Sequence, residues 1–117
     1  MKNKTLEEIV LEMKDKSELM IDLAYSSILY DSEKLAKEVY DLEDLVDILY
    51  QTMQKKTLES VSDKKISVND ALAILRLGEA GEQIADAAQE IADVELRDVE
   101  LHPIIKMSIR ESDQVFT

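Results

Sequence analysis

Apolar residues recur at three- and four-residue steps through three long segments of the chain, a period typical of amphipathic helices. The first segment follows Thr5, which stands three residues before Glu8 in the spacing of a capping box. This pattern predicts a helix over about 5–29. The face that it would bury comprises Leu6, Ile9, Val10, Met13, Ser17, Met20, Ala24 and Ile28.

A second repeat follows "YDS" at 30–32, where Asp31 and Ser32 are candidate helix caps and neither Gly nor Pro is present. The connection is therefore predicted to be tight, and the second helix to cover about 32–60. Its apolar positions have a spacing like that of a coiled coil. They are Leu35, Val39, Leu42, Val46, Leu49 and Met53.

The third repeat begins after the polar break "SVSDKK" at 60–65, where Ser67 and Asp70 have the spacing of another capping motif. The predicted core stripe is Leu77, Ile84, Ala88 and Ile91, with Ala73, Ala80 and Ala92 beside it. Gly78 and Gly81 each cost about 1 kcal/mol relative to alanine inside a helix. Close helix packing or a slight kink explains them better than a functional role.

Pro103 suits the first turn of a short fourth helix near 104–113, because a proline there loses no helical hydrogen bond. His102, beside it, is interpreted as a turn residue. The expected fold is all-α: an antiparallel bundle of three long helices plus a short C-terminal helix, forming a single domain over residues 1–117.

Several apolar residues fall outside these stripes and predict a second apolar surface. They are Leu11, Leu19, Leu23, Tyr25, Leu45, Leu72 and Leu75. Because Leu19, Leu23, Leu72 and Leu75 leave more apolar surface than one small bundle readily hides, we expect a homodimer.

The net charge of the chain makes nucleic acid an unfavourable partner. The chain carries 26 acidic and 14 basic residues, a formal net charge of -12, which would repel the phosphates of nucleic acid.

Cysteine is absent, so disulfides, thiolate metal sites and a cysteine nucleophile are excluded. No apolar run approaches the roughly 20 residues of a membrane span, and direct membrane insertion is not expected. These features predict a soluble, cytoplasmic protein.

Carboxylates four residues apart occur once in each long helix, as Glu18 with Asp22, Glu43 with Asp47, and Glu82 with Asp86. Side chains at this spacing lie side by side on a helix. Two such pairs brought together would offer hard oxygen donors suited to magnesium, calcium, manganese or iron. In a chain this acidic, the same spacing also fits an ordinary solvated face, and both interpretations remain open.

Signals for enzymatic chemistry are missing from the sequence. His102 is the only histidine, which excludes zinc sites with two imidazoles and multi-histidine di-iron sites. The chain contains neither a Gly-x-Ser-x-Gly nucleophile elbow nor a glycine-rich phosphate loop. We therefore expect a protein that is not an enzyme and has no catalytic residues.

Two segments carry a resemblance to a known family. The segment "EVYDLEDLVDILY" at 38–50 looks like the first signature helix of PhoU-like proteins, and "GEQIADAAQEIAD" at 81–93 resembles the second. The longer stretches "MKDKSELMIDLAYSSILYDSEKLAKEVYDLEDLVD" and "GEAGEQIADAAQEIADVELRDVELHPIIK" are similar to the PhoU-like domain of archaeal proteins related to potassium channels. The resemblance covers nearly all of the chain, which has one three-helix repeat where the better-known PhoU proteins have two.

The resemblance implies a regulatory, usually dimeric domain linked to potassium or phosphate transport. In the archaeal proteins a TrkA C-terminal domain, which binds small ligands, follows the helices. Some family members bind metal clusters through these signatures, which implies Glu43, Asp47, Glu82 and Asp86 as metal ligands here. Glu79 extends the acidic line of Glu82 and Asp86 upstream, and Asp93, almost two turns further on, is expected on the solvated face.

An alternative function is a magnesium-dependent nucleotide pyrophosphohydrolase resembling MazG, which also arrays Glu and Asp on paired helices. Metals held by carboxylates would there activate water and bind phosphates. The Glu-Glu-x-x-Glu and Glu-x-x-Asp signatures of that class are not present as an ordered set, because "EEIVLE" has the wrong interval.

Overall fold

The computed structural model of the protein describes residues 4–97 and 109–110. Within this part, three α-helices follow one another: α1 over Leu6–Leu29, α2 over Glu33–Ser62 and α3 over Val68–Leu96. Each helix packs against both others, and the short connections make neighbouring helices antiparallel. The predicted three-helix bundle is confirmed. The fourth helix expected near 104–113 lies outside the described residues, except for Ile109 and Arg110.

Side-chain caps start all three helices where the sequence predicted them. Thr5 accepts a hydrogen bond from the Glu8 backbone N–H at 3.1 Å. Ser32 accepts one from the Leu35 N–H at 3.2 Å, and Ser67 accepts one from the Asp70 N–H at 3.0 Å. Each cap satisfies a backbone donor that the first helical turn leaves without a partner, and so fixes the start of its helix.

The two turns reverse the chain without glycine. Asp31 and Lys64 take positive φ values of 49° and 60°. In the first turn the Ser32 N–H donates to the Ser27 carbonyl at 2.8 Å, and in the second the Lys65 N–H donates to the Ser60 carbonyl at 2.8 Å. These bonds close each helix end in the manner of a Schellman motif, which explains how such short connections reverse the chain.

The bundle core is aliphatic and methionine-rich on α1 and α2. The predicted stripes are confirmed, with Ile9, Met20, Val39, Leu49 and Met53 completely buried. Buried hydroxyl groups bond along their own helices: Ser27 donates to the Ala24 carbonyl at 2.7 Å and Thr57 to the Met53 carbonyl at 2.7 Å. The interior therefore holds these polar groups without leaving their donors unpaired.

The predicted core stripe of α3 is largely wrong. Leu77 and Ile84 are 56% and 45% exposed, and Ala73 and Ala80 are exposed too. Ala88 and Ala92 are buried as predicted, and Ile91 is half-buried. Apart from Glu95, the buried residues of α3 are small: Ala71, Gly78, Ala85, Ala88 and Ala92. Small side chains let α3 approach the large residues of α1 and α2 closely, and Leu77 and Ile84 then point outward.

Apolar side chains line a groove between α1 and α3. Its lower part is lined by Leu6, Val10, Leu11, Ile74 and Leu77. Its upper part is lined by Ile21, Tyr25, Ile84, Ala87 and Ile91. These two sets are called the lower groove and the upper groove below.

The residues expected to form the second apolar surface do not share one face. Leu19 and Leu72 are 41% and 46% exposed, but they lie on different helices and line neither part of the groove. Leu23 and Leu45 pack against the core. Leu11 and Tyr25 are the predicted residues that do line the groove, so the predicted surface is only partly right.

Candidate metal centre

The carboxylate pairs of α2 and α3 converge at one place on the bundle. The turn between the helices lies at nearly equal sequence distances from Asp47 and Glu82, so the antiparallel hairpin brings the two pairs to the same height. One oxygen from each of Glu43, Glu82 and Asp86 lies within 4.8 Å of the other two. Carboxylates at this separation can share one cation.

The orientation of α3 creates this convergence. Its core face is centred on Ala85 and Ala88, so Glu82 and Asp86 project from the flank of that face next to α2. Glu43 and Asp47 are half-buried beside the packed stripe of α2, and Glu82 is also half-buried. Asp86 is the exposed member and opens the cluster to solvent.

The pKa of Glu82 is raised to about 7 from 4.5. Burial is the largest cause, followed by a hydrogen bond with Asp47 and the negative charge of Asp47. The charges of Glu43 and Asp86 raise it further. A carboxyl group surrounded by like charges holds its proton, because ionisation would add another negative charge to a partly desolvated site.

The pKa of Glu43 is raised as well, first by burial and then by Asp47. Asp44, which no sequence motif marked, also raises it through its charge, as does Asp86. Asp44 therefore adds to the negative charge around the cluster. Its adjacency to Glu43 in the sequence was the only available signal.

No basic side chain neutralises these charges within the described part of the chain. The ion pairs there involve Lys4, Lys14 and Arg97, and none of them includes a member of the cluster. The Glu82 Oε1 atom is buried and has no hydrogen-bond partner in the described structure. A buried acceptor of this kind is costly unless something pairs with it, and a hard cation suits an oxygen donor.

The remaining acidic residues lie apart from the cluster. Glu18 and Asp22 belong to the rim of the upper groove, and Glu18 pairs with Lys14 at 3.2 Å. Asp93 is half-buried and lies 4.0 Å from Arg97, so the expected fully solvated position is only partly right. Glu79 is exposed.

Among the described residues, the cluster offers carboxylate oxygens as donors but neither an imidazole nor a thiolate. Such a donor set fits magnesium, calcium, manganese or iron better than zinc or copper. Of the four residues expected as ligands, Glu43, Glu82 and Asp86 lie close enough to share an ion. Asp47 reaches this group through its hydrogen bond with Glu82.

Comparison with known proteins gives one family match. Residues 10–94 match the PhoU domain, and no curated protein matches the chain. PhoU is a family of regulatory, non-enzymatic domains associated with phosphate transport. No helix within residues 4–97 combines the length and apolar character that crossing a membrane requires. With this match across most of its length and its three-helix bundle, the chain belongs to the PhoU domain family.

Proposed function

We propose that this chain is a regulatory domain that acts on the cytoplasmic side of a phosphate or potassium transport system and responds to metal ions at its carboxylate cluster. Family membership supports the regulatory role. The convergence of Glu43, Glu82 and Asp86 within 4.8 Å is the observation that carries the metal-binding part.

The charge balance of the cluster supports this proposal. Glu82 has a buried oxygen without a partner and a pKa raised to about 7, so near neutral pH the site is poised between a proton and a cation. A divalent ion would displace that proton and remove the repulsion between α2 and α3. Metal binding would thereby tighten the α2–α3 contact, which is a means of signalling through the domain.

The test is metal analysis of the purified protein followed by calorimetric titration with manganese, magnesium and iron. We expect binding tighter than about millimolar, accompanied by proton release near neutral pH. The combined change Glu43→Gln and Glu82→Gln keeps the shape of both side chains but removes two charged donors, and should abolish binding.

A matched control is the combined change Glu18→Gln and Asp22→Asn. This pair has the same four-residue spacing on α1 but lies away from the cluster. Binding should survive in the control. Titrations without heat in the parent protein, or equal loss in both double variants, would show that the cluster is a solvated acidic surface.

We also propose a homodimer formed through the lower groove. Leu11 and Leu77 leave 52% and 56% of their surfaces exposed there, and a second copy would cover them. Light scattering should give twice the 13.3 kDa chain mass. Leu77→Asp should produce monomers while Leu72→Asp, outside the groove, should not; a monomeric parent protein at high micromolar concentration would contradict the proposal.

The resemblance to archaeal proteins related to potassium channels suggests a TrkA C-terminal-type domain as the partner that receives the signal. Sequencing the gene beyond the codon for Thr117 tests this, because an open frame for such a domain is the expected result. An unrelated reading frame would contradict the link to potassium transport and leave phosphate transport as the proposed system.

The alternative of a MazG-like nucleotide pyrophosphohydrolase finds no support in the family match. Incubation with nucleoside triphosphates and magnesium separates the two functions. We expect no turnover. Hydrolysis that Glu82→Gln abolishes would overturn the regulatory assignment and make the cluster catalytic.

A further inference from the structure

The upper groove is an apolar surface that α1 and α3 leave open. Ile84 is 45% exposed in it, Ala87 is exposed, and Tyr25 and Ile91 are half-buried. Contiguous apolar surface with a polar border marks interaction sites on proteins. A partner with an apolar face would remove these side chains from water, which is the driving force for docking.

The rim of the upper groove is negatively charged. Glu18 and Asp22 of α1 both line it, and Asp22 has no ion-pair partner among the described residues. Glu18 pairs with Lys14 at 3.2 Å, one turn nearer the start of α1. In the described part of the chain, no cation lines the upper groove itself. This rim therefore attracts an occupant that carries positive charge.

The ends of two helices add to this negative charge. Because α1 and α3 are each antiparallel to α2, their C-termini at Leu29 and Leu96 lie at the same end of the bundle. The free carbonyl groups of a helix C-terminus are equivalent to about half a negative charge. Neither helix has a basic residue in its last turn, and Arg97, which caps α3, pairs with Asp93 at 4.0 Å. The upper groove stops about one helical turn before both C-termini and so lies in a negative potential.

The length of the upper groove fits two turns of a helix. Ile84 and Ile91 are seven residues apart on α3, a separation of about 10.5 Å. Apolar anchors at positions i and i+7 of a docking helix have the same separation, and anchors at i+3 and i+4 fill the space between them. A helix laid in a groove directs its flanks toward the rims, where basic side chains would meet the carboxylates of α1.

A second copy of this chain suits the upper groove poorly. A two-fold axis brings the same surface of both copies together, so Glu18 and Asp22 of one chain would approach those of the other. Each chain also carries a net charge of -12. An anionic membrane surface would be repelled for the same reason. The charge of the groove therefore favours a cationic partner of a different sequence.

We propose that the upper groove is the docking site for an amphipathic, cationic helix of a partner protein. The apolar face of this helix covers Ile84 and Ile91, and its basic side chains lie beside Glu18 and Asp22. The site lies between α1 and α3, whereas the carboxylate cluster lies between α2 and α3, so the docking proposal does not rest on metal binding.

Synthetic peptides serve as probes for the full chain. Two peptides of about 18 residues, long enough to form a helix, share leucines at i, i+3, i+4 and i+7 and carry either lysine or glutamate elsewhere. A third peptide has the composition of the lysine peptide in an order without an apolar face. Fluorescence anisotropy of the labelled peptides at physiological ionic strength measures the dissociation constants. We expect the lysine peptide to bind at least about tenfold more tightly than the other two.

One pair of variants tests the apolar floor. Ile84→Asn should weaken binding of the lysine peptide at least about tenfold, because docking would then bury an amide without a partner. Leu72→Asn is the matched control and should leave binding unchanged. Leu72 is 46% exposed on the same helix and lines neither part of the groove. Circular dichroism checks that both variants fold.

A second pair tests the acidic rim. The combined change Glu18→Lys and Asp22→Lys should weaken binding of the lysine peptide at least about tenfold and allow the glutamate peptide to bind. The combined change Asp41→Lys and Glu59→Lys alters the net charge by the same amount at exposed positions of α2. It should change either affinity by less than about threefold, because salt screens charges at that distance.

Four results would overturn the proposal. The first is an absence of binding by the lysine peptide, or equal binding of the lysine and glutamate peptides. The second is an equal loss of binding in Ile84→Asn and Leu72→Asn. The third is a dimer in light scattering that Ile84→Asn dissociates, because a second copy would then fill the upper groove. The fourth is binding to phosphatidylglycerol vesicles that Ile84→Asn abolishes, because a lipid surface would then cover it.

Discussion

Gly78 of α3 lies directly against Met53 of α2, so that a Cβ built at Gly78 would stand 1.9 Å from the Met53 Cε and 2.9 Å from the Tyr50 Cε1. Met53 is completely buried, and its Cε would have to shift to make room for that Cβ. The glycine is therefore a packing residue: it removes side-chain volume where the methionine enters the α2–α3 contact.

Gly78→Ala should consequently destabilise the protein by about 1 kcal/mol, because overpacking costs about 1–3 kcal/mol and alanine recovers about 1 kcal/mol of helix propensity. Gly81→Ala is the control. Its Cβ would lie 3.2 Å from the flexible Met13 Cε, and a small shift of that methyl group accommodates it. Urea unfolding should show opposite signs for the two changes, with Gly81→Ala slightly stabilising; equal effects would refute the packing role of Gly78.

Stability without metal should fall as pH rises from about 4.5 to about 7. The folded protein keeps the Glu82 proton up to about pH 7, whereas the unfolded chain releases it near its ordinary pKa of 4.5. Folding therefore binds a proton in this pH range. The stability that the folded protein gains from this proton is lost as the pH increases through the range. The raised pKa of Glu43 acts in the same direction.

Urea unfolding in the presence of a chelator, repeated across this pH range, measures the slope of the free energy of unfolding against pH. Glu82→Gln should flatten it, because the amide does not titrate. Glu18→Gln, an exposed carboxylate outside the cluster, should leave the slope as it is. Parallel pH profiles for the parent protein and Glu82→Gln would exclude the cluster as the source of the effect.

The helix caps should be worth a measurable part of the stability. Ser32→Ala and Ser67→Ala each remove an oxygen that accepts a backbone N–H, and each should cost about 1 kcal/mol. Ser67→Asp retains an acceptor at the N-terminus of α3 and should preserve stability. Thermal unfolding of the three variants checks this, and a Ser67→Asp protein as unstable as Ser67→Ala would show that capping is not the cause.

The rotated core face of α3 has its own test. Leu77→Ala should change the free energy of unfolding by less than about 1 kcal/mol, since the side chain is 56% exposed. Leu49→Ala, at a fully buried position, should cost about 2–5 kcal/mol. Unfolding should be measured at low protein concentration, where dimer contacts do not contribute. A large loss of stability in Leu77→Ala would show that Leu77 is a core residue, as the sequence pattern predicted.

The sequence by itself determined where the helices begin and how they connect. Thr5, Ser32 and Ser67 act through hydrogen bonds to backbone groups three residues away, and such short-range interactions are readable in the order of residues. The same holds for the apolar stripes of α1 and α2, where the largest residues recur with the helical period. The acidic pairs are also local, because residues four apart are neighbours on any helix.

Only the tertiary structure decided which face of α3 is buried and which acidic pairs meet. Hydrophobicity favoured Leu77 and Ile84 as core residues, but the space left by Met13, Met53 and their neighbours admits only small side chains, so Gly78, Ala85 and Ala88 face inward. That rotation places Glu82 and Asp86 beside α2, where they meet Glu43 and Asp47, and it leaves the equally spaced pair on α1 outside the cluster. The physical reason is that close packing selects side chains by volume as well as by polarity, and the available volume is set by residues distant in the chain.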